Sequence, residues 1–244
     1  MEPLRQSITL DERRAKSTAW ALTFADVLTL LLTFFVLLLV MLNDAEKHIN
    51  LIIDKLLDDT YEEMINDLAY ENISVYRETK GIKITITGNL FKSSSAEIDT
   101  SFYPVVYQIG KIIKDSDLIN IEYKKEHVEL LNMIEQSGSE LNVEIRCEGH
   151  TDDEKLAPDS EYPSNWELSA ARSLNFVRLM NQDIKMPEKY FSALGYGEFR
   201  PVIDVTNIYD NKEKKRARAM NRRVEIYLDA FLEKKSRKEI KINI

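Results

Sequence analysis

The stretch that decides the architecture is AWALTFADVLTLLLTFFVLLLVML, residues 19–42, which is apolar throughout apart from one carboxylate and three hydroxyls. At about 1.5 Å of rise per residue, a helix of this length crosses a hydrocarbon core of roughly 30 Å. Asp26 is the charged residue inside it, and a charge at the centre of a membrane helix costs on the order of 2.5–3.5 kcal/mol. Helix formation does not require such a residue. The sequence therefore predicts a functional carboxylate: an ion or proton site, or a contact to a partner helix.

The flanks of this segment predict its orientation. The segment is too long for the apolar region of a signal peptide, and no small-residue cleavage site follows it, so we expect an uncleaved, single-pass anchor. Basic residues precede it, namely Arg5, Arg13, Arg14 and Lys16, whereas the residues that follow are mainly acidic or neutral. Positive charge marks the cytoplasmic side. We expect a cytoplasmic tail at 1–18, a span at 19–42 in the inner (cytoplasmic) membrane, and a periplasmic or extracytoplasmic remainder.

A polar stripe surrounds the carboxylate. Helical spacing places four side chains on one narrow face: Thr23, Asp26, Thr29 and Thr33. Lipid cannot satisfy a carboxylate, so this face should contact protein or water. The threonine hydroxyls can donate to the carboxylate or help to coordinate a cation; alternatively, the stripe holds helices together. One helix cannot enclose a pathway, so a multispanning partner is implied.

The composition excludes several classes of function. The 244-residue chain has a net charge of −8, which argues against nucleic-acid binding because that requires a basic face. Its one cysteine, Cys147, cannot form an intrachain disulfide. Phosphate-loop, zinc-protease and serine-nucleophile motifs do not occur, and the three histidines are scattered. We therefore expect no catalytic residues, no metal site and no enzymatic activity.

A helical connector is predicted at 43–80. Within residues 45–70, apolar side chains recur on one helical face, and acidic and amide residues occupy the other. One interpretation is a helix that dimerises or packs on the following domain. The other is a gating segment, or plug, at the membrane surface or channel mouth.

The outer domain is predicted at 81–229, with a C-terminal tail at 230–244. Ile82, Ile84 and Ile86 alternate with polar residues, as in a half-buried strand. Further strands are expected at 141–148, 190–194 and 222–228, and helices at 100–114, 165–182 and 211–221, with a polar, partly helical segment at 115–140. Strands alternate with helices, so we expect an α+β chain whose outer domain is a mixed α/β sandwich with helices on one sheet face.

Four ordered motifs in this region resemble the peptidoglycan-binding OmpA-like domain. They are IRCEGHTDD at 145–153, PSNWELSAAR at 163–172, GYGE at 195–198 and NRRVEI at 221–226. The form SNWELSAAR is similar to that of MotB proteins, and the span, with Phe24-Ala25-Asp26 and Phe34-Phe35, resembles the MotB family independently. Together the motifs and the span cover the membrane helix and roughly residues 80–228.

The resemblance implies a ligand and the residues that hold it. A peptidoglycan stem peptide with diaminopimelate offers an ammonium and carboxylates, so its site needs a fixed carboxylate and a fixed guanidinium. Asp152 and Arg172 match the family positions that make this grip; the alternative is that they form a structural salt bridge. Positions that line the pocket are matched by Thr151, Asn165 and Leu168, with Arg223 at a basic position on its edge. We expect His150 to orient the loop, and Trp166 to lie in the core.

The function implied by the resemblance is that of the B subunit of an ion-driven rotary stator. Two copies of the chain, a homodimer, would stand inside a ring of five MotA-like subunits. Asp26 would bind and release the transported H⁺ or Na⁺, with no other cofactor, while the outer domain holds peptidoglycan. Both a flagellar stator and a Zorya-type anti-phage motor fit. The alternative is a membrane-tethered wall anchor without ion transport. Departures from the usual MotB pattern are the short connector at 43–80, added sequence at 115–140 and lysines at 212–218.

Overall fold

The computed structural model describes residues 9–88, 90–92 and 94–235, apart from the side chains of residues 10–17, 42, 44–46 and 126. The chain forms two compact units, Met1–His48 and Ile49–Ile244. The basic side chains expected to orient the span, and the end of the predicted tail from residue 236, lie outside the described residues.

The first unit contains the start of a long helix, α1 (Leu10–Asp67). Its segment Thr18–Met41 has a mean hydropathy of 2.6, and none of it is buried within the protein. Among the described residues it is the one helix long and apolar enough to cross a membrane. A helix suits this role because it satisfies all of its backbone hydrogen bonds internally. The predicted apolar helix is confirmed.

In the second unit, the C-terminal part of α1 packs on the domain. The apolar positions along one face are almost fully buried in the hydrophobic core: Ile49, Ile53, Leu56, Leu57 and Met64. On the solvent side, Arg77 forms ion pairs with Asp54 (2.9 Å) and Asp58 (2.7 Å). This arrangement agrees with the interpretation in which the connector helix packs on the following domain.

A five-stranded mixed sheet forms the centre of the domain, in the order β1-β2-β5-β3-β4. The strands are β1 (Ile73–Glu78), β2 (Gly81–Thr87), β3 (Ser139–His150), β4 (Phe191–Gly195) and β5 (Arg223–Lys234). β3 and β4 are parallel, and the other pairs are antiparallel.

Two of the expected segment boundaries differ from the structure. β1 lies inside the segment predicted as helical connector, and β5 extends five residues into the predicted tail. β1 is an edge strand whose residues alternate between buried or half-buried and exposed positions, but only Ile73 and Val75 supply apolar side chains. So short an alternation gives little period-two signal.

The helices are α2 (Tyr103–Asp115), α3 (Asp117–Asn120), α4 (Val128–Gln136), α5 (Asn165–Ile184) and α6 (Asn211–Asn221), with 3₁₀ turns at Thr100–Phe102, Ile121–Tyr123, Lys125–His127 and Glu188–Tyr190. The side chain of Ser164 caps α5 by accepting from the backbone N–H of Trp166. The side chain of Asp210 caps α6 in the same way. Lys185 ends α5 in the left-handed conformation, with φ 55°.

The sheet has one apolar and one charged face. Ile84, Cys147 and Ile226 are fully buried and adjacent across three strands, on the face covered by α2 and α5. The opposite face carries charged residues, which include Lys83, Glu148 and Glu225. Alternation along each strand produces this division, and the predicted α+β class is confirmed.

Trp166 was expected in the core, and this expectation was wrong: the side chain is 53% exposed. The buried face of α5 is formed by Asn165, Leu168, Ser169, Arg172 and Phe176. A residue one position after Asn165 lies about 100° around the helix from that face, because each residue turns the helix by that angle.

Two glycines bring α5 close to the sheet. A Cβ on Gly149 would lie 2.2 Å from the carbonyl oxygen of Ser169, and one on Gly195 would lie 2.3 Å from the backbone nitrogen of Ala170. Only a residue without a side chain fits at such distances. The first turns of α5 are therefore held beside the loop that follows β3, which places the candidate site.

Candidate functional site

A cavity of about 540 Å³ lies where the loop after β3 meets the first turns of α5. All six predicted peptidoglycan-binding residues line it: Thr151, Asp152, Asn165, Leu168, Arg172 and Arg223. The remaining lining residues come from residues 88–99, from residues 154–156 and from Arg222. The motifs, separated by up to about 70 residues of sequence, thus converge on one cavity.

Asp152 is the carboxylate of this cavity, and it is almost buried, at 7% exposure. Its Oδ2 accepts a hydrogen bond from Nη1 of Arg222 (2.5 Å), and its Oδ1 accepts from the backbone N–H of Glu154 (3.2 Å). Arg222 was not among the predicted site residues, since the resemblance assigned the basic position at the edge of the pocket to its neighbour Arg223. The strand begins at Arg223, and Arg222 is free to turn toward Asp152.

Arg172 is a buried cation of the cavity, and it has no carboxylate partner among the described residues. It is 6% exposed, its Nε donates to the carbonyl oxygen of Ser95 (2.9 Å), and its guanidinium lies 4.8 Å from the ring centroid of Phe91. Burial lowers the pKa of Arg172 to about 10, so it stays charged at neutral pH. Within the described part of the chain Arg172 forms no ion pair, so the alternative of a structural Asp152–Arg172 bridge is wrong for this structure. A buried guanidinium in this state is suited to an incoming carboxylate.

The other four predicted residues shape the cavity. The side-chain amide of Asn165 donates to the carbonyl oxygen of Glu154 (2.9 Å) and to Oε2 of Glu198 (2.8 Å), which fixes the loop after β3. Thr151 has a buried hydroxyl without a hydrogen-bond partner among the described residues, and Leu168 is an apolar, 2% exposed wall. Arg223 donates to Glu225 (2.6 Å) and to the carbonyl oxygen of Arg200 (3.1 Å), so its guanidinium is already occupied.

The segment from residue 88 to 99 was missed as part of the site. Leu90, Phe91 and Lys92 line the cavity, and a bridge between Phe91 and Ile98 closes the segment into a loop. The loop is attached to α5 through Arg172 and through Asn175, which donates to the carbonyl oxygen of Ala96 (3.0 Å). No motif marks this segment. Its two attachments to α5 each join residues far apart in the sequence, with separations of 77 and 79 positions.

His150 lies behind the cavity, on the charged face of the sheet. It is 2% exposed and stacks on Tyr196, with ring centroids 5.4 Å apart. Its Nε2 is 4.0 Å from Glu148 and 3.9 Å from Glu225, and neither ring nitrogen has a hydrogen-bond partner among the described residues. Glu148, His150 and Glu225 offer ligand atoms within 4.8 Å of one another. However, Glu225 already forms ion pairs with Arg223 and Lys83. These cations neutralise its charge, so the three residues are poorly suited to hold a metal ion.

We expect the stability of the domain to fall as the pH falls from 7.5 to 5. Burial, followed by the charge of Arg223, lowers the pKa of His150 to about 4. Between pH 7.5 and 5 the unfolded chain binds a proton at this histidine, whose ordinary pKa is about 6.5, whereas the folded chain does not. The free energy of unfolding should therefore fall by on the order of 2 kcal/mol at pH 5. Thermal unfolding of the full-length chain in detergent, recorded across this range, measures the slope.

The control variant is His150→Gln, which keeps a polar side chain but cannot titrate. It should flatten the slope between pH 7.5 and 5. Glu225, whose pKa is lowered to about 2, should add to the loss of stability only below about pH 4.5, where this residue becomes protonated in the unfolded chain. The pKa of Glu148 is raised by burial and opposes the trend. An unchanged slope in the variant would assign the pH dependence to other groups.

The predicted ion site lies on α1 in the first unit. The hydroxyls of Thr23, Thr29 and Thr33 donate to the backbone carbonyl oxygens of Trp20 (2.9 Å), Asp26 (2.8 Å) and Leu30 (2.9 Å), each three residues earlier. The hydroxyl protons are thus used within the helix and do not reach the carboxylate of Asp26. The hydroxyl oxygens keep lone pairs, which can coordinate a cation or accept hydrogen bonds from a partner helix.

Comparison with known proteins places both units in one family. Residues 9–58 match the family model MotB_plug, described as membrane MotB of the proton-channel complex MotA/MotB. The uncharacterized protein YtxE of Bacillus subtilis is 30% identical over 230 residues, which cover 87% of this chain and 88% of that protein. Motility protein B of Bacillus subtilis is 29% identical over 247 residues, with 86% and 90% covered.

The fold of the outer domain has also been observed in a crystal structure. A MotB-like protein from Desulfovibrio vulgaris superposes with a TM-score of 0.55 at 18% sequence identity. The match covers 76% of this chain and 99% of that one. At this identity the similarity supports the fold alone.

Proposed function

The chain belongs to the MotB family of stator subunits, and from this premise we propose that it is the B subunit of an ion-driven rotary motor. The observation that carries the proposal is Asp26, the one charged residue in the apolar segment Thr18–Met41. A lone carboxylate in such a helix marks an ion or proton pathway more often than a structural feature. Transported H⁺ or Na⁺ is the only small ligand that the proposal requires.

Asp26 acts through its change of charge. When it binds a cation the site becomes neutral, and when it releases the cation the negative charge returns to a medium of low dielectric constant. A surrounding MotA-like ring with two preferred arrangements would be biased toward one by each charge state. The oxygens of Thr23, Thr29 and Thr33 lie on the same face and supply further ligands. Two copies of this chain inside five MotA-like subunits would give such a ring two carboxylates.

The outer domain provides the fixed point. We assign the cavity around Asp152 and Arg172 to the stem peptide of peptidoglycan, a ligand with both carboxylates and an ammonium group. Arg172 is buried, charged and without a carboxylate partner, so it supplies a grip on a ligand carboxylate. Asp152, whose carboxylate pairs with Arg222, supplies the acceptor for the ammonium.

The proposed membrane topology follows from the two roles of the chain, ion transport in the membrane and attachment to the wall outside it. Residues 1–18 lie in the cytoplasm, residues 19–42 span the inner membrane, and the rest lies outside, where the wall is. Anchoring is required because an unattached stator would turn with the ring and transmit no torque. Of the two machines that the family resemblance allows, similarity to Motility protein B favours the flagellar motor.

Co-expression tests the proposal. Cells that produce this chain together with a MotA-like partner should take up protons or sodium ions when a gradient is imposed, whereas cells with either chain alone should not. Parallel gradients of pH and of sodium at constant pH identify the ion. A wall anchor without transport predicts equal uptake in all three strains, and that result would overturn the motor function while leaving the wall-binding assignment open.

A further inference from the structure

Two large aromatic side chains are exposed together beside the cavity. Trp166 is 53% exposed and Phe199 is 66% exposed, and their ring centroids lie 5.3 Å apart with an angle of 49° between the planes. Neither side chain contributes to the hydrophobic core. Aromatic pairs left in water on a folded surface are typical of binding sites, because their burial by a ligand is favourable.

The backbone that carries this pair, which we call the aromatic platform, is fixed by a helix cap and a turn. The N-cap hydroxyl of Ser164 accepts from the backbone N–H of Trp166 (3.1 Å), which fixes the first turn of α5. Gly197, at φ +55°, lies between the two residues: a Cβ there would be in van der Waals contact with the backbone of Trp166 (3.4 Å) and with the ring of Phe199 (3.5 Å). The backbone N–H of Phe199 donates to the carbonyl oxygen of Tyr196 (3.2 Å) and closes the turn that carries it.

The platform is continuous with the proposed stem-peptide cavity. Asn165, which lines the cavity, directly precedes Trp166, and its amide donates to Glu198, which directly precedes Phe199. The backbone N–H of Thr151, another lining residue, donates to the carbonyl oxygen of Gly197 (2.9 Å). The residues that shape the cavity therefore also set the position of both rings.

We propose that the aromatic platform binds a sugar ring of the glycan strand whose stem peptide occupies the cavity. This proposal rests on the assignment of the cavity to peptidoglycan. A pyranose ring presents a face of C–H groups, and the positive edge of these groups is attracted to the negative face of an aromatic ring. The stem peptide is covalently attached to a sugar of the glycan, so a peptide held in the cavity brings a sugar next to it.

The platform gives the site a second point of recognition. Arg172 and Asp152 would select the charged groups of the stem peptide, whereas Trp166 and Phe199 would select the polymer to which the peptide is attached. A free stem peptide should then bind through the cavity alone. Intact wall should bind through both, with tighter overall binding because the second contact is intramolecular.

Binding by the full-length chain in detergent tests the platform. Co-sedimentation with purified sacculi measures the polymer, and binding of a soluble diaminopimelate-containing stem tripeptide without sugars measures the cavity. We expect Trp166→Ala and Phe199→Ala each to weaken sacculus binding by about three- to tenfold, the effect of losing one aromatic contact. Tripeptide affinity should stay at the parental level. Trp166→Phe, which keeps an aromatic ring, should restore most of the sacculus binding.

Tyr123→Ala is the matched control, because Tyr123 is an 83% exposed aromatic outside the cavity; it should bind as the parent does. Parental sacculus binding by Trp166→Ala would overturn the platform, and so would an equal loss of tripeptide binding, which would mean that Trp166 supports the cavity itself. Altered self-association with unchanged wall binding would assign the pair to a protein contact and also overturn the proposal. Failure of the parent to bind either ligand would instead remove the proposed wall-binding function.

Discussion

Asp26→Asn is expected to abolish ion uptake by the complex of this chain with its MotA-like partner. Asn has nearly the same size as Asp and keeps a polar side chain, so the helix should still insert and pack. It cannot bind a transferable proton, and it carries no negative charge that would attract a cation. Uptake driven by an imposed gradient, measured in cells with equal amounts of the two chains in the membrane, should fall to the level of cells without this chain.

Two substitutions make this result specific. Asp26→Glu retains a carboxylate one methylene further out, and we expect partial uptake. Asp59→Asn makes the same chemical change at an exposed carboxylate of the same helix, and uptake should remain parental. If Asp26→Asn and the parent transport equally, the carboxylate serves packing or partner contact, and the chain is a wall anchor of another kind.

Dense sequence motifs explain why most of the cavity was predictable. The resemblance of PSNWELSAAR to the family motif assigns Asn165, Leu168 and Arg172 to the site, and their spacing places all three on one face of a helix. The structure agrees, since all three are buried on the same side of α5.

The parts that escaped prediction depend on contacts across the chain. Arg222 reaches Asp152 over 70 residues, and Ser95 accepts from Arg172 over 77. No local pattern encodes either contact. Trp166 was misplaced for a related reason: an aromatic residue inside an amphipathic helix favours the core, and the exposed position becomes visible only when the neighbouring turn with Phe199 is in place.

The ion pair of Arg223 is another contact that the sequence does not show. With the strand beginning at Arg223, this residue lies opposite His150 on the charged face, and its guanidinium pairs with Glu225. Arg222 and Arg223 both line the cavity, but Arg222 is the one that pairs with Asp152.

Arg172→Ala is expected to remove most of the binding of the chain to purified sacculi. The guanidinium is buried and charged, and a bidentate contact to a ligand carboxylate at such a position contributes about 2–4 kcal/mol, or roughly a 30- to 1000-fold change in affinity. Ligand binding replaces water around a charge that has no carboxylate partner of its own, so the loss should appear with the stem tripeptide as well as with sacculi. Co-sedimentation with sacculi and direct tripeptide binding, each with the full-length chain in detergent, measure it.

The loss must be separated from a loosened loop, since Arg172 also donates to Ser95. Arg172→Lys keeps the charge but not the planar fork, and we expect it to recover only part of the affinity. Arg178→Ala removes an exposed arginine from the same helix outside the cavity, so its binding should be parental. Unfolding temperatures of all three variants report any damage to the fold. If Arg172→Ala unfolds with the parent and still binds sacculi with parental affinity, the grip on the wall lies elsewhere on the domain.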